Sequence, residues 1–151
     1  MQTISSYLTS DHRRCDNHFA AAEAYAAEQD WAAATTCFEQ FLSAMTRHFG
    51  IEERVLFPAF EQQTGSVMGP TRMMRMEHEQ MRELFERMAD AIAARNADEY
   101  AGLSETLLIM LQQHNLKEEQ VLYPMSDQAL GTHAPALIQQ MEAVSSGAEP
   151  A

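Results

Sequence analysis

Two segments of this chain carry the same donor groups at the same spacing. His48-Phe49-Gly50-Ile51-Glu52-Glu53-Arg54-Val55-Leu56-Phe57-Pro58 returns 66 residues later as His114-Asn115-Leu116-Lys117-Glu118-Glu119-Gln120-Val121-Leu122-Tyr123-Pro124. Six of these positions are identical and a seventh exchanges Phe for Tyr. In each copy a histidine and a glutamate stand four residues apart, which puts them on one helix face, one turn from each other. The same offset relates Asp11-His12 to Glu77-His78, Phe19 to Phe85, and Gly65 to Gly131. Alone, His12 would read as a packed or half-exposed histidine. Its place in the repeat groups it with His48, Glu52, His78, His114 and Glu118.

Imidazoles and carboxylates on an apolar seam are a problem that a cation solves. An unpaired buried carboxylate costs several kcal/mol even after relaxation. Two facing each other also repel, and no Lys or Arg shares the seam to neutralise them. A bound metal favours ionised carboxylate and neutral imidazole together. The alternative without metal is a closed polar network. The donor set narrows the choice of ion. No cysteines stand at structural zinc spacing, and calcium and magnesium prefer all-oxygen shells. Mixed imidazole and carboxylate suits iron, manganese, cobalt or zinc, with carboxylates able to bridge. If Glu52 and Glu118 bridge two ions, each ion receives two imidazole nitrogens and two carboxylate oxygens. A bridging oxo or hydroxo would fill one further position on each. One more stays open for dioxygen, nitric oxide, peroxide or water.

The elements that must position these groups are helices. Ile4, Leu8, His12, Cys15, Phe19 and Ala22 mark one face of a first helix, capped by Thr3 and broken at Gln29-Asp30. Asp30 caps a second, with Cys37, Phe41, Met45, His48, Glu52 and Val55 on its seam. Pro58 should end or kink it. Gln62 to Gly69 reads as the midpoint loop. Pro70 opens a third helix carrying Met74, His78, Met81, Phe85, Met88 and Ile92. Asn96 or Asp98 starts a fourth, with Leu103, Leu107, Leu111, His114, Glu118 and Val121 in line. A short fifth helix is expected from about Ala134 to Ala143, and the tail Ser145 to Ala151 reads as disordered. No segment alternates as a strand. The expectation is therefore all-α: an antiparallel up-down-up-down four-helix bundle, one domain over 1–144 with pseudo-repeats 4–62 and 70–128. Counting from the helix ends sets all four histidines in one layer, displaced toward one end. The pseudo-two-fold permits His12 with His114 and His48 with His78, or His12 with His48 and His78 with His114.

Other residues admit ordinary roles. Glu53 and Glu119 follow the glutamates by about 100° round the helix, which favours a solvated face, with a supporting role to the ligands as the alternative. Asp11 and Glu77 read as exposed charge, and His18 and His133, which do not repeat, as surface residues. Cys15 and Met81 lie one turn from His12 and His78, as core packing or pocket lining; a redox-active Cys15 is the sharper reading. Cys37 is about 16 Å along the helix from His48, beyond ligation. Met73, Met74, Met76, Met81 and Met88 spread over several faces of the third helix, which would suit a weak homodimer; otherwise the chain is expected to be a monomer.

Composition sets limits. The 151 residues carry 22 Asp+Glu against 10 Lys+Arg, a formal charge of -12, with Lys117 the single lysine. Such a surface repels phosphate, so no nucleic-acid partner is expected. No apolar run approaches the roughly 20 residues that span a bilayer, so no membrane partner is expected either. Two cysteines and a start without a basic, apolar leader suggest the reducing cytoplasm.

The HxxxE pairs at 48/52 and 114/118, with single histidines at 12 and 78, resemble the hemerythrin-like HHE cation-binding domain. The likeness runs from about Thr3 to Leu130. It implies a non-haem di-iron centre in a four-helix bundle, with His12, His48, His78 and His114 as terminal ligands and Glu52 and Glu118 as bridges. The family's ordering favours pairing His12 with His114 and His48 with His78. Arg82 stands where the oxygen carriers of that family have a further histidine, and Glu119 where they have an aspartate. The chain is thus more similar to the four-His, two-Glu branch, linked to oxidative and nitrosative stress. The resemblance implies binding of dioxygen, nitric oxide or peroxide, in sensing, scavenging or stress protection. Peroxidase or catalase-like turnover, and iron storage or delivery for iron–sulfur repair, are the alternatives. The cysteine-bearing N-terminal domain of some branch members is not expected, because this chain begins at the first helix.

Overall fold

Thr3 holds the start of the first helix. In the computed structural model, which describes residues 2–144, the Ser6 N–H donates to the Thr3 hydroxyl and the Thr3 N–H to the Ser6 hydroxyl, each at 2.9 Å. This capping box opens α1, Ile4–Ala27. The expected disordered tail lies outside the described residues. Helix α2, Trp31–Ile51, opens under Asp30, whose carboxylate accepts from the Ala33 N–H. Helix α4, Pro70–Ala93, begins on a proline, whose missing N–H is no loss at that position. Asn96, and not Asp98, caps α5, Ala97–Lys117.

The two hairpin turns are built alike. Gln29 and Arg95, one repeat apart, both take the left-handed conformation, at φ 60° and 54°. The Asp30 N–H reaches Tyr25 O at 3.0 Å and the Asn96 N–H reaches Ala91 O at 2.9 Å. That six-residue closure satisfies orphan carbonyls at the helix ends. The duplication therefore extends to turns whose residue types do not repeat.

Pro58 and Pro124 do not end their helices. Each is preceded by a π-helical turn, Glu52–Leu56 and Glu118–Leu122, in which the Phe57 N–H bonds Glu52 O and the Tyr123 N–H bonds Glu118 O. A proline has no N–H and crowds the carbonyl four residues back. The wider turn relieves both and lets the chain run on as α3, Phe57–Thr64, and α6, Tyr123–Leu130. One extra residue in the turn moves the seam by one position. Leu56 and Leu122 are buried, whereas the seam residues expected from a 3.6 period, Val55 and Val121, are half-buried and 49% exposed. Helix α3 also takes Gln62 to Thr64 from the expected loop. Gly65, at φ 72°, ends it in a conformation that costs glycine least. Gly131 behaves differently, starting a 3₁₀ turn, Gly131–His133, that leads to α7, Ala134–Glu142.

Around the bundle α1 lies beside α2 and α5, and α4 beside α5 and α2. Two separate apolar clusters fill it. One, with Phe19, Phe38, Phe41, Phe85 and Leu107, occupies the end near the hairpin turns. The other, with Ile4, Leu8, Ile51, Leu56, Phe57 and Leu122, is covered by Leu137, Ile138 and Met141 of α7. Arg47 ties α7 down by donating to the carbonyls of Met141 and Val144. Asp127 of α6 accepts from the Ser5 N–H and hydroxyl at the start of α1. Of the third-helix methionines, Met74, Met81 and Met88 are core, and only Met73 and Met76 are mainly exposed. No described helix is long and apolar enough to cross a membrane.

Candidate metal centre

Between the two apolar clusters lies a polar layer of six buried side chains. His12 comes from α1, His48 from α2, His78 from α4 and His114 from α5, while Glu52 and Glu118 each open a π turn. None of the six exceeds 4% exposure. They form two overlapping groups, His12, His48, Glu52 and Glu118, and Glu52, His78, His114 and Glu118, whose donor atoms lie within 4.8 Å of one another. The imidazole pairs are therefore His12 with His48 and His78 with His114, ring centroids 4.7 and 5.0 Å apart. The pairing favoured by the family's ordering is corrected. Each pair belongs to one hairpin, whose two helices are directly adjacent and hold their histidines at one height.

Both carboxylates reach both pairs. Glu52 turns Oε2 to His48 Nε2 at 3.3 Å and Oε1 to His78 Nε2 at 3.0 Å. Glu118 turns Oε1 to His12 Nε2 at 3.0 Å and Oε2 to His114 Nε2 at 3.3 Å. Yet the Nε2 atoms of His48, His78 and His114, with Glu52 Oε1 and Glu118 Oε2, make no hydrogen bond. Buried polar atoms without partners are rare and costly.

The outer ring nitrogens explain why. His12 Nδ1 donates to Glu119 at 2.7 Å, His48 Nδ1 to Asp11 at 2.8 Å, His78 Nδ1 to Glu53 at 2.7 Å and His114 Nδ1 to Glu77 at 2.7 Å. An ionised carboxylate can only accept, so each Nδ1 carries a proton, and once a metal displaces any inward proton the neutral ring presents an Nε2 lone pair to it. That is the tautomer a metal-ligating histidine needs, and such outer carboxylates fix its orientation and basicity. The exposed charge expected of Asp11 and Glu77 is thus corrected, while Glu53 and Glu119 lie where the alternative role, support of the imidazoles, puts them. Asp11 is buried and the other three are half-buried. Asp11 and Glu77 had a signal in the sequence, since both obey the repeat. The repeat alone does not reveal their role, because a carboxylate next to a histidine in sequence points away from that ring. Each bonds the histidine of the adjacent helix instead.

Electrostatics point the same way. Burial alone would lower the pKa of His48, but the Glu52 charge and the Asp11 hydrogen bond raise it well above the ordinary range. Burial likewise opposes the His114 imidazolium, and Glu118 with Glu77 holds its pKa up at about 9. Burial would raise the Glu52 pKa, yet His48 and His78 hold it well below the usual carboxylate range. The layer thus demands positive charge between its carboxylates, supplied by protons or by a metal.

Tyr123 was not among the expected site residues. Fully buried, its hydroxyl lies 2.5 Å from Glu52 Oε2, 2.9 Å from Glu118 Oε1 and 3.1 Å from His12 Nε2. Its repeat partner Phe57 has no hydroxyl, so the halves differ here. The Phe-to-Tyr exchange was the available signal, and the π turn is what brings that position into the layer. Cys15 and Met81 are buried in the neighbouring apolar cluster. Burial pushes the Cys15 thiol up to about 11, against the thiolate that redox chemistry needs. Cys37 is half-buried at the edge of the same cluster, His18 is half-buried and His133 exposed.

No curated protein and no solved structure gives a significant match to the chain. The sequence profile of the hemerythrin HHE cation binding domain matches residues 3–126, a span that contains all six layer residues, their four outer carboxylates and Tyr123. With that match and two buried His/Glu clusters suited to a metal ion, the chain belongs to the hemerythrin HHE cation-binding domain family.

Proposed function

We propose that the layer is a di-iron centre of the four-His, two-Glu kind. His12 and His48 would hold one ion, His78 and His114 the other, and Glu52 and Glu118 would bridge them. The observation that carries this reading is the pair of carboxylates, each directing one oxygen to each histidine pair while five inward atoms lack any hydrogen bond. Manganese or zinc would meet the same donors. When bound, iron supplies a redox-active centre with open positions for dioxygen, nitric oxide or peroxide. The protein's own part is to orient four imidazoles through their Nδ1 protons and to exclude bulk water with two apolar clusters. Tyr123 holds a proton at its hydroxyl beside both carboxylates.

The supported role is binding of a small ligand in sensing, scavenging or stress protection. The one domain carries its two repeats at 4–62 and 70–128. The free thiols of Cys15 and Cys37 favour a reducing compartment such as the cytoplasm. Protein made with iron should contain two iron ions per chain and absorb in the visible, with a spectrum that changes on adding nitric oxide or azide. Colourless protein without iron would refute the reading. Turnover of peroxide is a second reading, favoured by the Tyr123 hydroxyl in the layer. Steady-state turnover lost in Tyr123→Phe would support it, and a single stoichiometric reaction would count against it.

A further inference from the structure

The repeat that builds the centre is broken on one flank. On the α2–α4 side, Phe49 stacks on His78 with ring centroids 3.9 Å apart and an interplanar angle of 16°. The Arg82 guanidinium lies over the outer face of Phe49 at 5.1 Å and donates to both oxygens of Glu53, at 3.0 and 2.9 Å. An aromatic plate and an ion pair therefore close that flank, and His78 is fully buried.

One repeat further, on the α1–α5 side, each closing residue is replaced. Asn115 stands in place of Phe49 and Asp16 in place of Arg82. Here Tyr123 stacks on His12 at 5.5 Å as Phe57 does on His78 at 5.7 Å, but among the described residues no ring takes the place of Phe49, and a groove of about 450 Å³ opens between Phe19, Glu23, Leu108, Asn115, Asp16 and Glu119. Glu119 is the residue that holds His12 Nδ1, so the groove is lined by the residue that orients the first ligand. Of the six layer residues His12 is the most exposed, at 4% against 0–2% for the others. None of the residues lining the groove is basic, and three are acidic.

We infer that metal ions reach the centre through the α1–α5 groove, with Asn115 marking the gap that Phe49 fills on the other flank. The inference rests on the proposed centre and adds its route and direction of access. Two features select a divalent cation. The passage is lined by Asp16, Glu23 and Glu119, and one of them, Glu119, is the partner of His12 Nδ1. A like-signed field along a narrow cleft raises association rates for the opposite charge.

The test is the rate of cobalt(II) uptake by the metal-free full-length chain, followed by the visible absorption of the bound ion. The wild-type end point, two cobalt ions per chain, tests the centre, and the rate tests the route. Asn115→Phe, which copies the closed flank, should slow uptake by about tenfold or more without changing the end point. Asp16→Asn, a substitution at an exposed position, should slow it several-fold and flatten its dependence on salt. Wild-type rates in both variants would overturn the route. If Asn115→Phe misfolds, Asp16→Asn decides alone. A wild-type chain that takes up no cobalt overturns the centre itself, and the route with it.

Discussion

Replacing Asp11 by asparagine should weaken metal binding at the His12–His48 position about tenfold and leave the His78–His114 position unchanged. Asp11 Oδ2 accepts from His48 Nδ1 at 2.8 Å in a buried setting. Asparagine keeps the shape and an accepting oxygen but removes the charge. Hydrogen bonds to charged groups contribute about 1.5–3 kcal/mol, against about 1 kcal/mol for neutral ones. The difference, about 0.5–2 kcal/mol, is a factor of about two to thirty in affinity, with tenfold near its middle. It lies at the low end of what outer-ligand substitutions cost in metal affinity. A stability effect follows from the same carboxylate. Burial would raise the Asp11 pKa, but His48 and Arg14 hold it at about 2, below its ordinary 3.8. A depressed carboxylate stabilises the fold above pH 3.8, and that contribution is lost as pH falls toward about 2. It amounts to about 1 kcal/mol after allowance for the water reaching its Arg14 side. Cobalt titration resolves the two binding steps, and Glu77→Gln serves as the mirror variant for His114. Unchanged affinity in both variants would refute the claim that outer carboxylates orient the ligands.

Three further outcomes are expected. Tyr123→Phe makes the second repeat match the first at Phe57 and removes a hydroxyl from between two carboxylates, so metal-free protein should lose about 1–3 kcal/mol of stability; an unchanged urea midpoint would contradict this. In metal-free protein the raised His114 pKa contributes stability that is complete below pH 6.5 and lost as pH rises through about 9, whereas metal-loaded protein, with neutral imidazole ligands, should show no such loss; parallel denaturation curves across that range decide it. Cys15, its thiol pushed up to about 11 by burial, should resist alkylation in the native protein with and without metal and react only on unfolding, so protection that depends on metal would revive a redox role.

What the sequence determines by itself is the set of donors. Period and repeat suffice because a helix converts spacing into direction, so His48 with Glu52 and His114 with Glu118 must share a face. The caps at Thr3 and Asp30 are equally local, each a side chain satisfying an N–H within its own first turn. Tertiary structure alone decides how the donors meet. Which histidines pair depends on helix adjacency, and the outer carboxylates reach across to rings on other helices, a relation that no spacing along one chain encodes. The burial of Leu56 and Leu122 in place of Val55 and Val121 depends on π turns. A regular 3.6 period cannot anticipate them, because the cause is a proline one turn ahead meeting a helix that has packed too well to stop. The open α1–α5 flank is decided in the same way. Asn115 and Phe49 occupy equivalent places in the repeat, and only the packing of the folded bundle shows that one of them leaves a passage and the other closes it.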